Sequence, residues 1–270
     1  MPTMQLTVRR RRMMKVSDPN HEANFHTDQV AIELDPSRTG FVLVDMWDCS
    51  DVPDEIKPGG VSFCQRAAEI TALHIAPALD AARQAGLTVI HGPTSFVTEK
   101  YDHSCRRAQV PEPGTGGSPR RDWPPPEHRE AWAQERWEAR YGDYGPEENR
   151  ARVEGTRILP QVEPIESDWI IGSSEEMYAI CRQQELLSLI YVGFATNMCL
   201  IFKPGALQEM SNAGYRCVVL RDCTTAVENA DSWGDLDQTR AFVDWFEMQM
   251  LAYTATSANF IAACADAAGG

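Results

Sequence analysis

The sequence predicts a three-layer α/β/α fold around a six-stranded, mostly parallel sheet. Short apolar runs alternate with segments of helical periodicity along most of the chain. The runs are apolar at nearly every position, as in strands that are buried on both faces. With 43% hydrophobic and 24% charged residues, the composition is that of a globular domain. Such alternation is typical of a parallel sheet with helices on both faces.

The predicted elements follow one another from residue 36 onward. Residues 1–35 are polar and irregular, so we expect an N-terminal arm there and a single domain over residues 36–270. Strands are expected at 40–44, 87–90, 169–171, 189–193, 217–220 and 251–253. Helices are expected at 175–187, 197–213 and 234–249, after Ser257, and at 64–85, where Pro77 either kinks the helix or divides it in two.

The stretch at about 99–150 interrupts this alternation. It is rich in proline and glycine and holds too few apolar residues for a core of its own, so we interpret it as an excursion from the sheet. Its aromatic residues either cover a pocket or subunit contact, or form a small cluster on the surface. They are Trp123, Trp132, Trp137, Tyr141 and Tyr144.

Charge and cysteine usage exclude several classes of function. The net charge of −14 argues against nucleic-acid binding, and the basic run Arg9–Arg12 is interpreted as a solvated arm or an edge strand. No apolar run is long enough to cross a bilayer and no targeting segment is recognised, so we expect a cytoplasmic protein without membrane contact. The eight cysteines are scattered without a C-x-x-C pair, so we expect no disulfide framework, metal site or cofactor.

Two residues with chemical potential follow predicted strands. Asp45 ends the first strand, and Cys199 lies between the fourth strand and its helix. Ligand sites of parallel sheets lie at the carboxyl ends of strands, so the two side chains are expected to meet. A cysteine at a helix N-terminus lies near the positive end of the helix dipole, which predicts a thiolate beside unpaired N–H groups. The alternatives are a turn or capping aspartate and a small buried cysteine.

Several segments resemble the isochorismatase-like cysteine hydrolases. That family's nucleophile segment is similar to Gly193–Cys199, and its aspartate strand is similar to Val42–Met46. The resemblance covers roughly 38–95 and 160–262 and implies a Rossmann-like, isochorismatase-like hydrolase fold. Further matching segments, in the expected order, are Ala82–Ile90, Gly214-Tyr215 before Asp222, and Ala252–Ser257.

The resemblance also implies roles for particular residues. Cys199 would be the nucleophile and Asp45 a general base that later acts as a general acid. A cis peptide bond would lie at Ala195–Thr196, and the N–H groups of Thr196 and Cys199 would form the oxyanion hole. The family's lysine falls at Gly172 here, which is a departure from the pattern. Cations that could replace it are Lys203, Lys100 and Arg106, and the sequence does not choose among them.

Residues close to these positions are expected to line a pocket for a small-molecule substrate. His91 is equally well explained as a hydrogen-bonded structural histidine. The predicted lining residues are Trp47, Asp48, His91, Phe194, Asn197 and Gly172.

The leading functional hypothesis is a hydrolase that cleaves a small amide through a thioester on Cys199. The first alternative is a catalytically impaired or repurposed relative that binds a small molecule or a partner, because Gly172 stands in place of the lysine. The second is a vinyl ether hydrolase of isochorismatase type, whose chemistry does not need a cysteine nucleophile. The resemblance also implies a homo-oligomer, either a dimer or a tetramer.

Overall fold

The computed structural model describes residues 3–13, 21–101, 105–110, 123–142 and 144–269. Its strands in chain order are β1 (Met4–Arg12), β2 (His26–Leu34), β3 (Thr39–Val44), β4 (Trp47–Asp48), β5 (Thr88–Gly92), β6 (Arg157–Ile158), β7 (Trp169–Ile170), β8 (Ser188–Gly193), β9 (Arg216–Leu220) and β10 (Tyr253–Ala255). Eight of them form one sheet in the order β2-β1-β10-β9-β8-β3-β5-β7, and β4 pairs with β6. The six strands from β10 to β7 are parallel to one another and match the six predicted strands, so the fold class is confirmed.

The N-terminal arm predicted for residues 1–35 is wrong where the structure describes it. Strands β1 and β2 form an antiparallel hairpin, and β1 also pairs with β10, so this segment extends the sheet. Met4, Leu6 and Val8 alternate with exposed residues and are buried, which explains why β1 joins the core. The arginines that follow are held by carboxylates: Arg9 by Glu247, and Arg10 and Arg12 by Asp28.

The helices in chain order are α1 (Val61–Ile70), α2 (Ala76–Gln84), α3 (Ser95–Thr98), α4 (Pro126–Tyr141), α5 (Pro146–Gly155), α6 (Ser174–Gln183), α7 (Cys199–Phe202), α8 (Leu207–Asn212), α9 (Asp237–Met248) and α10 (Ser257–Gly269). Apolar residues of α1, α2 and α10 pack on one face of the sheet, and those of α6, α8 and α9 pack on the other. The result is the expected three-layer arrangement. Among the described residues, no helix has both the length and the apolar character needed to span a membrane.

Two of the predicted helices are divided. Between α1 and α2 lies a π-helical turn at Thr71–Ile75, immediately before Pro77. Proline has no N–H for the normal helical hydrogen bond, so the chain accommodates it by widening one turn. The helix expected at 197–213 is likewise two short helices, α7 and α8, and the break between them falls at Lys203–Ala206.

The excursion is described only in part, since residues 102–104, 111–122 and 143 and the side chain of Tyr141 lie outside the described residues. Helix α4 is exposed along its described length, and Trp123, Trp132 and Trp137 are exposed as well. Tyr144 differs from them, because it packs on a small apolar cluster around Cys49.

A buried ionic network fixes the position of β5 against the segment before β7. Asp168 is 2% exposed, and its Oδ2 accepts hydrogen bonds from Arg83 and, at 3.1 Å, from Nε2 of His91. Burial raises the pKa of Asp168, but the bonds from His91 and Arg83 outweigh burial and hold the pKa below its usual 3.8. Burial lowers the pKa of His91 below its usual 6.5, so the ring is neutral at pH 7.

We expect Asp168→Asn to lower the free energy of unfolding by about 3 kcal/mol at pH 7, because Arg83 loses its buried counter-ion. A lowered folded-state pKa means that this contribution is complete above about pH 4 and is lost as the pH falls further. Urea unfolding of both proteins at pH 7 and pH 3 measures the difference. The exposed control Asp80→Asn should cost less than about 0.5 kcal/mol. Equal stability of Asp168→Asn and the wild type at pH 7 would contradict the account.

Candidate active site

The candidate site begins where two neighbouring parallel strands end side by side. Val44 of β3 and Gly193 of β8 are partners in register, and the N–H of Phe194 donates to the Val44 carbonyl at 2.8 Å. Gly193 has φ +110°, and a Cβ there would lie 2.1 Å from that carbonyl, so only glycine fits. Asp45 follows Val44 with φ 44°, a conformation that aspartate tolerates better than most residues.

The turn from β8 to α7 corrects two expectations. The cis peptide bond is Phe194–Ala195, one residue before the predicted Ala195–Thr196. The N–H of Thr196 donates to the carbonyl of Thr225 at 3.0 Å, so Thr196 is not available for an oxyanion hole. The N–H of Ala195 instead faces the Cys199 sulfur.

The available donors are therefore those of Ala195 and Cys199. In the part of the chain that the structure describes, no backbone carbonyl accepts a hydrogen bond from either N–H group. Cys199 is the first residue of α7, where N–H groups have no partner within the helix. Two donors that no backbone carbonyl occupies, next to a thiol, can stabilise negative charge on the oxygen of a bound carbonyl.

Lys203 supplies the cation that the sequence left unassigned. Its Nζ lies 2.7 Å from Oδ1 of Asp45 and 3.0 Å from the carbonyl oxygen of Gly92. Thr94 donates to the same Oδ1 at 2.9 Å. Asp45 is 1% exposed, and a carboxylate this deeply buried stays ionised only when it is paired.

The break after α7 places Lys203 there. Lys203 precedes Pro204, which disfavours helical backbone in the preceding residue, and Lys203 has an extended ψ of 160°. Gly205 follows with φ +70°, where a Cβ would lie 2.8 Å from Met177. The sequence Lys-Pro-Gly thus ends the helix and turns the lysine back towards the strand ends.

The other candidate cations lie elsewhere. Nζ of Lys100 donates to the carbonyls of Val153 and Thr156, both at 2.8 Å, and Arg106 lies over the ring of Trp169. At Gly172, where the family has its lysine, the N–H donates to Glu176.

The Cys199 thiol is protonated at neutral pH, contrary to the expected thiolate. Burial raises its pKa and the Asp45 carboxylate raises it further, while Lys203 and the N–H of Ala195 lower it; the result is about 12. Helix α7 has only four residues, which is too short for a strong dipole. Oδ2 of Asp45 accepts no hydrogen bond within the described chain, so it is open to receive the thiol proton.

A cavity of about 170 Å³ lies against Cys199. Trp47, Phe63 and Tyr144 give it aromatic walls, and Lys57 and Arg152 give it positive charge. No carboxylate lines it among the described residues, although the chain carries 39 acidic residues. The cavity suits a small neutral or anionic molecule.

Of the six predicted lining residues, Trp47 alone lines this cavity. His91 is buried on Asp168, Phe194 lies edge-on to the ring of Phe63 in the core, and Asp48 accepts from the N–H of Ser50. The prediction that Asp48 and Phe194 line the pocket is therefore wrong, whereas His91 is the hydrogen-bonded structural histidine that the sequence also allowed.

Asn197 and Gly172 do not line the cavity either, but Asn197 shapes it. Its side chain donates to the Val227 carbonyl at 3.0 Å and accepts from the Val227 N–H at 3.1 Å. These two hydrogen bonds to the backbone position Val227, which forms part of the wall. Gly172 lies between Glu176 and Arg107, which form an ion pair.

Four residues of the site were not predicted from the sequence: Ala195, Thr94, Lys57 and Arg152. Thr94 follows a predicted strand, so the rule that ligand sites lie at the carboxyl ends of strands could have identified it. The other three have no local signal in the sequence, because their positions at the cavity depend on tertiary structure. No group of three or more potential metal-binding side chains occurs among the residues that the structure describes.

No model of a known protein family matches the chain. Two solved structures have a similar fold. One is a cysteine hydrolase from Pseudomonas syringae pv. phaseolicola 1448A, with 18% identity over 87% of this chain and 95% of that chain and a TM-score of 0.51. The other is an isochorismatase family protein from Desulfovibrio vulgaris subsp. vulgaris str. Hildenborough, with 15% identity over 84% and 98% and a TM-score of 0.50. The likeness shows the fold that the resemblance implied.

We expect Asp45→Asn to make Cys199 react faster with iodoacetamide at pH 8. Removing the carboxylate charge lowers the pKa of the thiol, and each unit raises the thiolate fraction about tenfold. Mass spectrometry of the Cys199 peptide over time gives the rate for this one cysteine. Asp48→Asn, which removes a charge that does not line the cavity, should leave the rate unchanged. An unchanged rate in Asp45→Asn would show that the carboxylate does not act on the thiol, and a slower rate would show that its action as a base outweighs its effect on the pKa.

Proposed function

We propose that this chain, which has the isochorismatase-like hydrolase fold, hydrolyses a small amide through a thioester formed on Cys199. The observation that carries the proposal is the contact of Lys203 with Asp45 at 2.7 Å, beside Cys199 and its cavity. A thiol, a paired carboxylate and two unpaired N–H groups are the parts that acyl transfer needs.

In the first step, the Cys199 sulfur attacks the amide carbonyl while Oδ2 of Asp45 takes the thiol proton. Proton loss and attack occur together, because the pKa of the thiol is too high for a resting thiolate. The N–H groups of Ala195 and Cys199 donate to the oxygen as it gains negative charge. Each such donor is worth about 3 kcal/mol in related acyl transfer reactions.

In the second step, Asp45 returns the proton to the leaving nitrogen and the C–N bond breaks. Water then enters, Asp45 takes one of its protons, hydroxide attacks the thioester and the C–S bond breaks. Asp45 returns the proton to the Cys199 sulfur as the carboxylic acid leaves. Lys203 binds Oδ1 throughout, so Oδ2 is the oxygen that exchanges protons. The lysine thus orients the base and stabilises its ionised form.

The alternative of an impaired or repurposed protein rested on the replacement of the family's lysine by Gly172. The ammonium group of Lys203 beside Asp45 removes that argument. For the vinyl ether hydrolase, no contact in the site provides specific support. The cavity of about 170 Å³ and its positive wall favour a small amide that is neutral or carries a carboxylate.

The proposal includes a cytoplasmic location and a homo-oligomer of two or four subunits. Exposed large apolar side chains often mark subunit contacts, and Trp123 and Trp132 on the excursion are 77% and 50% exposed. These residues are the first place to look for a subunit interface.

We expect Cys199→Ser to lower kcat for amide hydrolysis by at least about a thousandfold, because the nucleophile is lost. The measurement is release of ammonia or amine from a panel of small amides and carbamoyl compounds, with the wild type defining the substrate. Cys105→Ser, at a cysteine that does not line the cavity, should keep wild-type turnover. Full turnover by Cys199→Ser would overturn the thioester route and favour vinyl ether chemistry or another site.

A further inference from the structure

Two cysteines outside the proposed catalytic group lie in contact behind the cavity wall. Cys49 follows β4 and is 5% exposed, and Cys64 is half-buried in α1. Both are free thiols, and Cys64 packs on the small apolar cluster that contains Cys49. The side chains of Cys49 and Cys64 interact with each other, and this interaction shifts the pKa of each thiol.

The chain between these cysteines builds one wall of the cavity at Cys199. Ile56–Gly59 line the cavity. Each cysteine is joined directly to this wall: Nζ of Lys57 donates to the Cys49 carbonyl at 2.6 Å, and the Cys64 thiol donates to the Pro58 carbonyl at 3.4 Å. A covalent change at the thiol pair therefore acts on the wall that faces the nucleophile.

The environment divides the two thiols into an attacking and a resolving partner. The hydrogen bond from Cys49 lowers the pKa of Cys64, burial opposes this, and the ammonium group of Lys57 lowers the pKa further. The pKa of Cys49 is raised by the same hydrogen bond and by burial. Cys64 thus has more thiolate character than Cys199, whose pKa is raised to about 12.

We propose that Cys49 and Cys64 are a redox pair, which hydrogen peroxide converts into a disulfide that restricts movement of the cavity wall beside Cys199. In the first step the Cys64 thiolate attacks the peroxide, the O–O bond breaks, and a sulfenic acid and hydroxide form. In the second step the Cys49 sulfur attacks the Cys64 sulfur and the S–O bond breaks. The two leaving oxygens become two waters with the two thiol protons, so the cysteines lose two electrons and the peroxide gains them.

The disulfide changes how the cavity opens. Cys199 is half-buried where it lines the cavity, so the access of a reagent to it depends on movement of the wall. A bond between Cys49 and Cys64 closes the chain segment that carries Ile56–Gly59 into a loop and restricts this movement. Formation of the pair is independent of whether the protein hydrolyses amides.

The sequence allows a direct test, because both cysteines fall in one tryptic peptide. Trypsin cleaves after Arg38 and Arg66 but not between Lys57 and Pro58, so the peptide 39–66 contains Cys49, Cys64 and no other cysteine. After stoichiometric hydrogen peroxide, we expect this peptide to lose about 2 Da and to resist alkylation, and dithiothreitol to restore two alkylatable thiols. The oxidised protein should also alkylate at Cys199 at least about twofold more slowly.

Two variants separate the pair from general oxidation. In Cys64→Ser, peroxide should produce no mass loss in peptide 39–66 and no change in Cys199 alkylation, while Cys105→Ser should behave as the wild type does. Two alkyl groups on peptide 39–66 after oxidation would overturn the redox pair. A disulfide that forms without slowing Cys199 would overturn its action on the wall. Neither result depends on hydrolase activity, so a failure of the amide assay is distinguishable from a failure of this inference.

Discussion

The structure depends on keeping one buried carboxylate charged. Asp45 is 1% exposed at the end of β3, and without a partner its charge would cost several kcal/mol. The ammonium group of Lys203 and the hydroxyl of Thr94 both contact Oδ1. Among the described residues, no group donates a hydrogen bond to Oδ2, so this oxygen can accept a proton. Lys203 reaches this position because Pro204 ends helix α7 after four residues. The geometry of this turn therefore decides whether the buried carboxylate has a cationic partner.

Much of the fold could be predicted from the sequence, because continuous apolar runs identify strands that are buried on both faces. All six parallel strands were found in this way. The N-terminal hairpin is only partly predictable: the sequence allows an edge strand there as one alternative to an arm, because the apolar residues of β1 alternate, but four of its nine residues are arginines. Its arginines are tolerated because Asp28 and Glu247, distant in sequence, neutralise them. Pro204 and Gly205 indicate in the sequence that the predicted helix at 197–213 is divided in two.

The candidate site was predictable to the level of which strands supply it. Asp45 and Cys199 meet because neighbouring parallel strands end together, a rule that needs only strand order. One of the two predicted oxyanion donors, Thr196, is off by one residue, since the direction of its N–H is set by a bond to Thr225 far along the chain. The expected thiolate was wrong for a similar reason: burial and the Asp45 charge outweigh a dipole from a four-residue helix. The sequence leaves two interpretations of His91 open, because its hydrogen-bond partner, the buried Asp168, lies 77 residues away along the chain.

The central claim is that Lys203 does the work of the lysine that the family places at Gly172. The most direct measurement is kcat for amide hydrolysis by Lys203→Met and by Lys203→Met with Gly172→Lys. A Cβ at position 172 would meet its neighbours no closer than 3.5 Å, so the new side chain can be accommodated. The account predicts a loss of at least about a hundredfold in the single variant and partial recovery in the double variant. Wild-type kcat in Lys203→Met would contradict it.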